Sequence, residues 1–336
     1  MAFIQAMAYS VPETRLTNAD LYERFGEKAV NSIAKMSGIK ERRVTEPGET
    51  ASDLAFRAAR QLLQEQNCDP KSIDLLIFAS QTGDYQIPAT ACVLHERLGL
   101  GEECACFDVG LGCSSFPFSL AVANGMLESG ASQRALLLNA DTLTKVIHPK
   151  DRALVPLHGD AGVATLLDRS PGGGRLHGFH FGTDGSGWKH LVIPVSGARG
   201  KRDAESAKEI TDDNGNVSTA EHLHMDGAAV FHFSIYKVPE SIRQALAKWK
   251  WTVEDCRYVL LHQANKTMVD MIYRSLNVAP EKRFYFMDEV GNASGASSPM
   301  LLAEALRQGK LKAGDKLILS AFGAGLSWGT VAMEWK

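Results

Sequence analysis

The stretch ECACFDVGLGCSSFPFSLAVANGMLESG, residues 103–130, decides how the rest of the chain is read. Ala105 to Val109 is a short apolar run of the kind a buried strand needs, and Ser114 to Glu128 carries apolar residues at helical spacing. Cys113 therefore falls where a strand turns into a helix. Unpaired backbone N–H groups and the positive end of a helix dipole favour a thiolate at such a turn, and the thiolate is the nucleophilic form of cysteine. Taken alone, the position argues more for packing than for chemistry, because free cysteines are among the most buried side chains. What decides is whether the chain supplies Cys113 with partners.

The 336 residues, 45% hydrophobic and 22% charged, have the composition of a globular protein with one large core or two packed halves. A net charge of −3 gives no general attraction to nucleic acid or to an anionic membrane, so neither is expected as a partner. The cysteines at 68, 92, 104, 106, 113 and 256 form no CxxC pair, which suggests reduced thiols and a cytoplasmic location. Cys104 and Cys106 are read as pointing to opposite faces of a strand, which argues against a shared metal. No metal is expected. The N-terminus lacks a basic region followed by a long apolar run, and no stretch approaches 18 apolar residues, so neither a signal peptide nor membrane insertion is expected.

Leu54, Ala55, Ala58, Ala59, Leu62 and Leu63 predict a helix over 52–66, and IDLLIFASQ, 73–81, a buried parallel strand. SGIKERRVTEPGET, 37–50, reads as a basic loop, and PGGG at 171–174 as a tight turn between extended segments. Residues 197–222 are polar without an apolar stripe and read as a long surface excursion, followed by an amphipathic helix to about residue 248. The C-terminal third then repeats an earlier rhythm. RYVLLHQA, 257–264, resembles IDLLIFAS. The segment 283–309 parallels the Cys113 stretch as an apolar strand, an Asp, a Gly-rich turn, a Ser pair and an apolar helix, and DKLILSAFGAG, 315–325, parallels RALLLNAD. Ser80 precedes Cys113 by 33 residues and His262 precedes Asn292 by 30. This periodicity predicts two homologous α/β halves, 1–170 and 171–336, each with a mostly parallel sheet.

With pseudo-two-fold packing of the halves, Asn292 occupies the turn equivalent to that of Cys113, and His262 ends the strand equivalent to IDLLIFAS. Ligand sites in parallel α/β sheets form at the carboxyl ends of strands, where all three residues fall. A Cys–His–Asn set suits attack of a thiolate on an acyl thioester, with imidazole and amide holding a developing oxyanion or enolate. Taken singly, His262 fits a satisfied strand-end histidine and Asn292 fits turn chemistry.

DVGLGCSSF around Cys113, HQAN from His262, GNASGASSP around Asn292 and FGAGLSWG at 322–329 resemble the condensing enzymes of the thiolase superfamily. Within it the 3-oxoacyl-acyl-carrier-protein synthase III branch is the most similar, and TNADL, SGIKER, IPATACVLHERLG, HPKDRA and HGDAGVA also match in order. The resemblance implies a thiolase-like fold, two duplicated α/β halves packed as an αβαβα sandwich. It implies acylation of Cys113, Claisen condensation assisted by His262 and Asn292, and a carbanion from decarboxylation of a malonyl-carrier. The backbone N–H groups of Cys113 and Ala324 would form the oxyanion hole, and no permanently bound cofactor is expected. The family implies a homodimer in which Ile87, with Pro88, closes the partner's acyl pocket. Phe116, Phe118, Leu143, Leu157 and Phe231 are further candidates for the pocket wall.

The sequence departs from the family's pattern where coenzyme A is held. Arg152 matches one gripping Arg, but Ser32 stands at the expected Trp, and Met36 and Thr267 at two expected Arg positions. A stacked aromatic or a cation each contributes about 1 kcal/mol to such a grip. Donor delivery by acyl-carrier protein, on Lys35, Lys40, Arg42, Arg43 and Lys266, is therefore an alternative to acyl-CoA. Two further functions stay open: acyl transfer without chain elongation, and a catalytically silent subunit that shapes a partner's pocket.

Overall fold

Apolar residues on both faces mark β2 (Leu75–Ala79) and β4 (Arg134–Asp141) as central strands, and both are buried along their length in the computed structural model, which describes residues 1–213 and 215–336. They belong to a nine-stranded sheet with β1 (Phe3–Ser10), β3 (Ala105–Val109), β5 (Ala161–Asp168), β6 (Gly174–Thr183), β7 (Cys256–Leu261), β8 (Lys316–Gly323) and β9 (Ser327–Trp335). The order across the sheet is β7-β8-β9-β6-β1-β5-β4-β2-β3. β1 and β6 meet only at Phe3–Arg175 and Ile4–Gly174, so the sheet has a narrow seam. The PGGG turn feeds this seam: Gly173 has φ +60, and a Cβ there would lie 2.1 Å from the carbonyl oxygen of Ile4.

From the seam outward the two sides repeat one pattern. On one side β1 pairs antiparallel with β5, β5 antiparallel with β4, and β4 parallel with β2. On the other, β6 pairs antiparallel with β9, β9 antiparallel with β8, and β8 parallel with β7. The expectation of mostly parallel halves is corrected: parallel pairing is confined to β2–β3, β2–β4 and β7–β8. The chain passes from β8 to β9 in three residues, a connection too short for anything but an antiparallel return.

Alternation along the strands separates the layers. Leu75 and Ile77 of β2, Leu137 of β4, Leu260 of β7 and Leu317 and Leu319 of β8 face a central layer made by α4 (Ser115–Ser129) and α7 (Ser297–Arg307). Leu76, Phe78, Leu136 and Leu138 face the other way, onto α2 (Ala51–Glu65) and α3 (Thr90–Leu98). Val259, Leu261 and Ile318 face α5 (Gly227–Trp249) and α6 (Lys266–Ser275). The result is the αβαβα sandwich, with α1 (Glu27–Ser37) at its edge against α6. Each Leu or Phe so enclosed contributes about 1.5–3 kcal/mol. No helix among the described residues is long and apolar enough to cross a membrane.

Three local expectations change. The segment 283–287 forms no ladder beside β7, because Phe286 N–H donates to the Gln263 side chain at 3.1 Å instead of to a strand. Cys104 and Cys106 share one face, with sulfurs 3.8 Å apart, since residues two apart on a strand project the same way. The excursion 197–222 holds a short hairpin, Ile210–Thr211 with Val217–Ser218, and is tied down by Val195 N–H to Ala220 O at 2.8 Å and by Lys150 to Glu209.

Candidate active site

The carboxyl ends of β2, β3, β7 and β8 converge on a cavity of about 1050 Å³. Cys113 reaches it from the turn after β3, two residues before α4 begins. It keeps partial exposure to the cavity, while burial of its thiol pushes the pKa up to about 12, with Asp141 adding a smaller rise and a Ser294 hydrogen bond opposing it. Ser114, the next residue, shares a hydrogen bond with Ser327 at 2.7 Å, and Ser327 Oγ donates to Ala324 O at 2.8 Å. The nucleophile turn and the loop of Ala324 are thereby tied together beside the cavity.

His262 follows β7 directly. Its N–H donates to Ser320 O on β8 at 2.9 Å, continuing the parallel ladder, and its ring stands edge-on to Phe322, with centroids 5.6 Å apart. Burial, and to a smaller extent the neighbouring His158, push its pKa down to about 3. The imidazole is therefore neutral, with one ring nitrogen able to donate a hydrogen bond and the other able to accept one.

Asn292 is held by the main chain of the 154–160 loop: its N–H donates to Leu157 O at 2.9 Å and its carbonyl accepts from Gly159 N–H at 3.1 Å. Gly159 is required there, since a Cβ would lie 2.0 Å from the Val290 carbonyl oxygen. Asn292 Oδ1 accepts from Ser294 N–H at 3.0 Å and from Ser297 Oγ at 3.4 Å, which assigns Nδ2 as the donor left for a ligand. A thiol, a neutral imidazole and an amide N–H on one cavity are equipped for attack on a thioester and for holding an enolate oxygen.

Leu143, Leu157, Phe231 and Ala324 line the same cavity. Phe116 does not: it is fully buried in the central layer against α7 and the sheet, because at its place on α4 the side chain points between the layers. Phe118 likewise lies outside the lining and packs at a tilt against Phe181, with centroids 4.4 Å apart. Ile87 is 89% exposed and lies outside the cavity of this single chain.

The cationic set divides. Arg42 is fully buried, with Nη2 on Asn18 Oδ1, so it offers nothing to a carrier protein; desolvation lowers its pKa to about 10. Arg43 is turned inward onto Pro12 O at 3.0 Å. Lys35 and Lys40 are exposed, Lys40 pairing with Asp288 at 3.0 Å, and Lys266 pairs with Asp270 at 2.6 Å. Arg152 is half-buried, and its Nη1 would stand 3.4 Å from a Cβ on Gly215 of the excursion. Met36, 45% exposed, lines the cavity, and its carbonyl accepts from Thr267 Oγ1 at 2.7 Å, joining the end of α1 to the start of α6.

Residues absent from the sequence reading of the site are Asp141, His158, Gly323 and Ser294. Asp141 ends β4 and Gly323 ends β8, so the strand-end rule that singled out His262 applies to both.

The family described as 3-oxoacyl-[acyl-carrier-protein (ACP)] synthase III matches residues 107–185, and its C-terminal part matches 246–335. The chain is 34% identical over 325 residues to the beta-ketoacyl-[acyl-carrier-protein] synthase III of Caldanaerobacter subterraneus subsp. tengcongensis, covering 97% of this chain and 95% of that protein. The crystal structure of a 3-oxoacyl-(acyl-carrier-protein) synthase III superposes with a TM-score of 0.96 at 36% identity, covering 99% of both chains. That of a 3-oxoacyl-(acyl-carrier protein) synthase from Burkholderia xenovorans LB400 gives 0.90 at 33%, covering 99% of this chain and 94% of that one. With the sandwich fold and near-complete coverage in common, the chain belongs to the 3-oxoacyl-[acyl-carrier-protein] synthase III family.

Proposed function

We propose that the protein takes an acyl group from a thioester donor onto Cys113 and condenses it with a malonyl-carrier thioester, releasing carbon dioxide and a 3-oxoacyl thioester. The observation that carries this reading is that Cys113, His262 and Asn292 line one cavity of about 1050 Å³ together with Leu143, Leu157 and Phe231. The thiolate attacks the donor carbonyl, the backbone N–H groups of Cys113 and Ala324 receive the oxyanion, and the donor thiolate leaves. Malonyl-carrier then loses carbon dioxide, and its enolate oxygen rests on the neutral His262 ring and Asn292 Nδ2. The enolate carbon attacks the acyl carbon, and collapse of the adduct returns Cys113 as thiolate.

The donor is acyl-CoA or acyl-carrier protein. Ser32, Met36 and Thr267 make no aromatic or cationic grip on coenzyme A, which favours the carrier, with Lys35, Lys40 and Lys266 as its exposed contacts. The halves 1–170 and 171–336 form one catalytic unit, nucleophile from the first and His and Asn from the second. Two copies pair so that Ile87, exposed and apolar beside Pro88, enters the partner's acyl pocket.

Intact mass after incubation with a panel of acyl-CoA and acyl-carrier donors tests this. A Cys113-dependent adduct and carbon dioxide release with malonyl-carrier are expected. An adduct without carbon dioxide release would mean acyl transfer without elongation, and no adduct with any donor would mean a silent subunit. A tight, Arg152-dependent coenzyme A complex would overturn the carrier preference. A monomer in sedimentation analysis would remove the role given to Ile87.

A further inference from the structure

We infer that the acyl group carried to Cys113 bears a hydroxyl, and that His158 is the specificity-determining residue that accepts its hydrogen bond. This names the substrate class of the acyl-transfer reading above and rests on it. His158 is 6% exposed and lines the cavity. Its Nδ1 lies 3.2 Å from the carbonyl oxygen of Leu154, which can only accept, so the proton sits on Nδ1 and the lone pair on Nε2. Burial holds the pKa below the ordinary histidine value, so the ring is neutral and the lone pair is available. Nε2 has no hydrogen-bond partner among the described residues, and it is not sealed inside the protein as Nδ1 of His262 is; it opens onto the cavity.

The main chain sets this acceptor beside the proposed condensation machinery. His158 and Asn292 are partners in a parallel bridge, flanked by Asn292 N–H on Leu157 O at 2.9 Å and Gly159 N–H on Asn292 O at 3.1 Å. Bridged residues stand about 4.8 Å apart with their side chains on one face. A second uncommitted group reaches the nucleophile turn from the end of β2. A Cβ on Gly112, the residue before Cys113, would stand 2.1 Å from Gln81 Oε1 and 3.2 Å from Ser294 Oγ. The Gln81 side chain thus occupies space that only a glycine leaves open, and its amide has no hydrogen-bond partner among the described residues. Other polar groups of the lining are engaged: Asp108 accepts from the N–H groups of Thr90 and Ala91 at 2.7 and 2.8 Å, and Asn265 Oδ1 from Met268 N–H at 2.8 Å.

His158 and Gln81 select by chemistry. An alkyl chain would leave the buried lone pair of His158 unpaired, and a carboxylate would oppose it with a second acceptor. A hydroxyl donates to Nε2 of His158 and can accept from the Gln81 amide, which fills both roles. Leu143, Leu157 and Phe231, on the same cavity, are left to cover the carbon chain.

The test compares acylation of Cys113 by donor pairs that differ only in hydroxyl for methyl: 2-hydroxypropanoyl with 2-methylpropanoyl, 3-hydroxybutanoyl with 3-methylbutanoyl, and 4-hydroxybutanoyl with pentanoyl thioesters, each on coenzyme A and on acyl-carrier protein. The readout is the ratio of adduct-forming rates within a pair at subsaturating donor, by intact mass. That ratio is independent of how much of a variant is folded. In the unaltered protein the hydroxy member of one or more pairs should react about tenfold faster or better. His158→Phe should erase or reverse the preference, His158→Gln, which keeps an acceptor, should retain part of it, and Gln81→Leu should reduce it. A methyl preference in every pair, or a hydroxyl preference that His158→Phe leaves unchanged, would overturn the inference while the adducts themselves uphold acyl transfer. No adduct from these or any other donor of the panel would refute the acyl-transfer reading and this inference with it.

Discussion

Gly323 lies so close to Cys113 that a Cβ on the glycine would stand 2.6 Å from Cys113 Cβ and 3.0 Å from Sγ. The end of β8 thus forms the back wall of the nucleophile. Gly323→Ala should push the thiol out of line, and a displacement of about 1 Å costs roughly 100-fold in a positioned reaction. Single-turnover acylation should fall by that order while the far-UV circular dichroism stays unchanged.

The three residues of the proposed triad should separate by step. Cys113→Ala abolishes the acyl adduct. His262→Ala and Asn292→Ala keep acylation but lose condensation by roughly 100- to 1000-fold each, the range for removing one donor to a developing oxyanion. Intact mass and carbon dioxide release read the two steps apart, and full-rate condensation in both variants would refute the assignment.

Acid should destabilise the fold through its buried imidazoles. His158 and His262 both have pKa values pushed below the ordinary histidine value, mainly by burial, His262 to about 3. The unfolded chain therefore binds more protons below about pH 6.5. Stability is complete above that value and is lost as pH falls toward 3. Asp141 and Asp160, raised by burial, act in the opposite sense, so the clean measurement is a difference. Between pH 7 and 5 the melting temperature of His262→Gln should drop less than that of the unaltered protein. The condensation rate should show no histidine-like step in the same window.

Arg42 has a structural task. Its guanidinium is enclosed, and Nε and Nη1 find no partner among the described residues. Its Cβ also sits behind the Asn292 turn, 2.9 Å from where a Cβ on Gly291 would stand. Arg42→Met, which removes the charge and keeps the volume, should be neutral or stabilising by about 1–3 kcal/mol in urea melts, with unchanged affinity for acyl-carrier protein. Lys35→Glu should do the reverse, raising the KM for an acyl-carrier donor at unchanged stability.

Much of the architecture was legible in local pattern. The helix over 51–65, with Thr50 and Asp53 closing its capping box, and the strands at 75–79 and 134–141 follow from spacing that needs no partner. Cys113, His262 and Asn292 were legible because each ends a strand or fills a turn in a repeated unit, and their family motifs are contiguous in the chain. What pattern alone could not supply was which groups meet across that distance. Arg42 lies in a basic stretch and is buried, whereas its neighbours Glu41 and Arg43 are only half-buried, because β-strand pairing over 41–43 turns alternate side chains inward and outward. Phe116 and Cys113 are neighbours on one turn, yet one fills the central layer and the other faces the cavity. Cys113 Sγ meets Ser294 Oγ 181 positions away, and Asp141 Oδ2 accepts from Gly295 N–H 154 positions away, and no local rule anticipates either contact. Periodicity records which face of an element is apolar. Which polar groups share a buried volume is set by the packing of the two sides of the sheet on α4 and α7, and that is decided only in the tertiary structure.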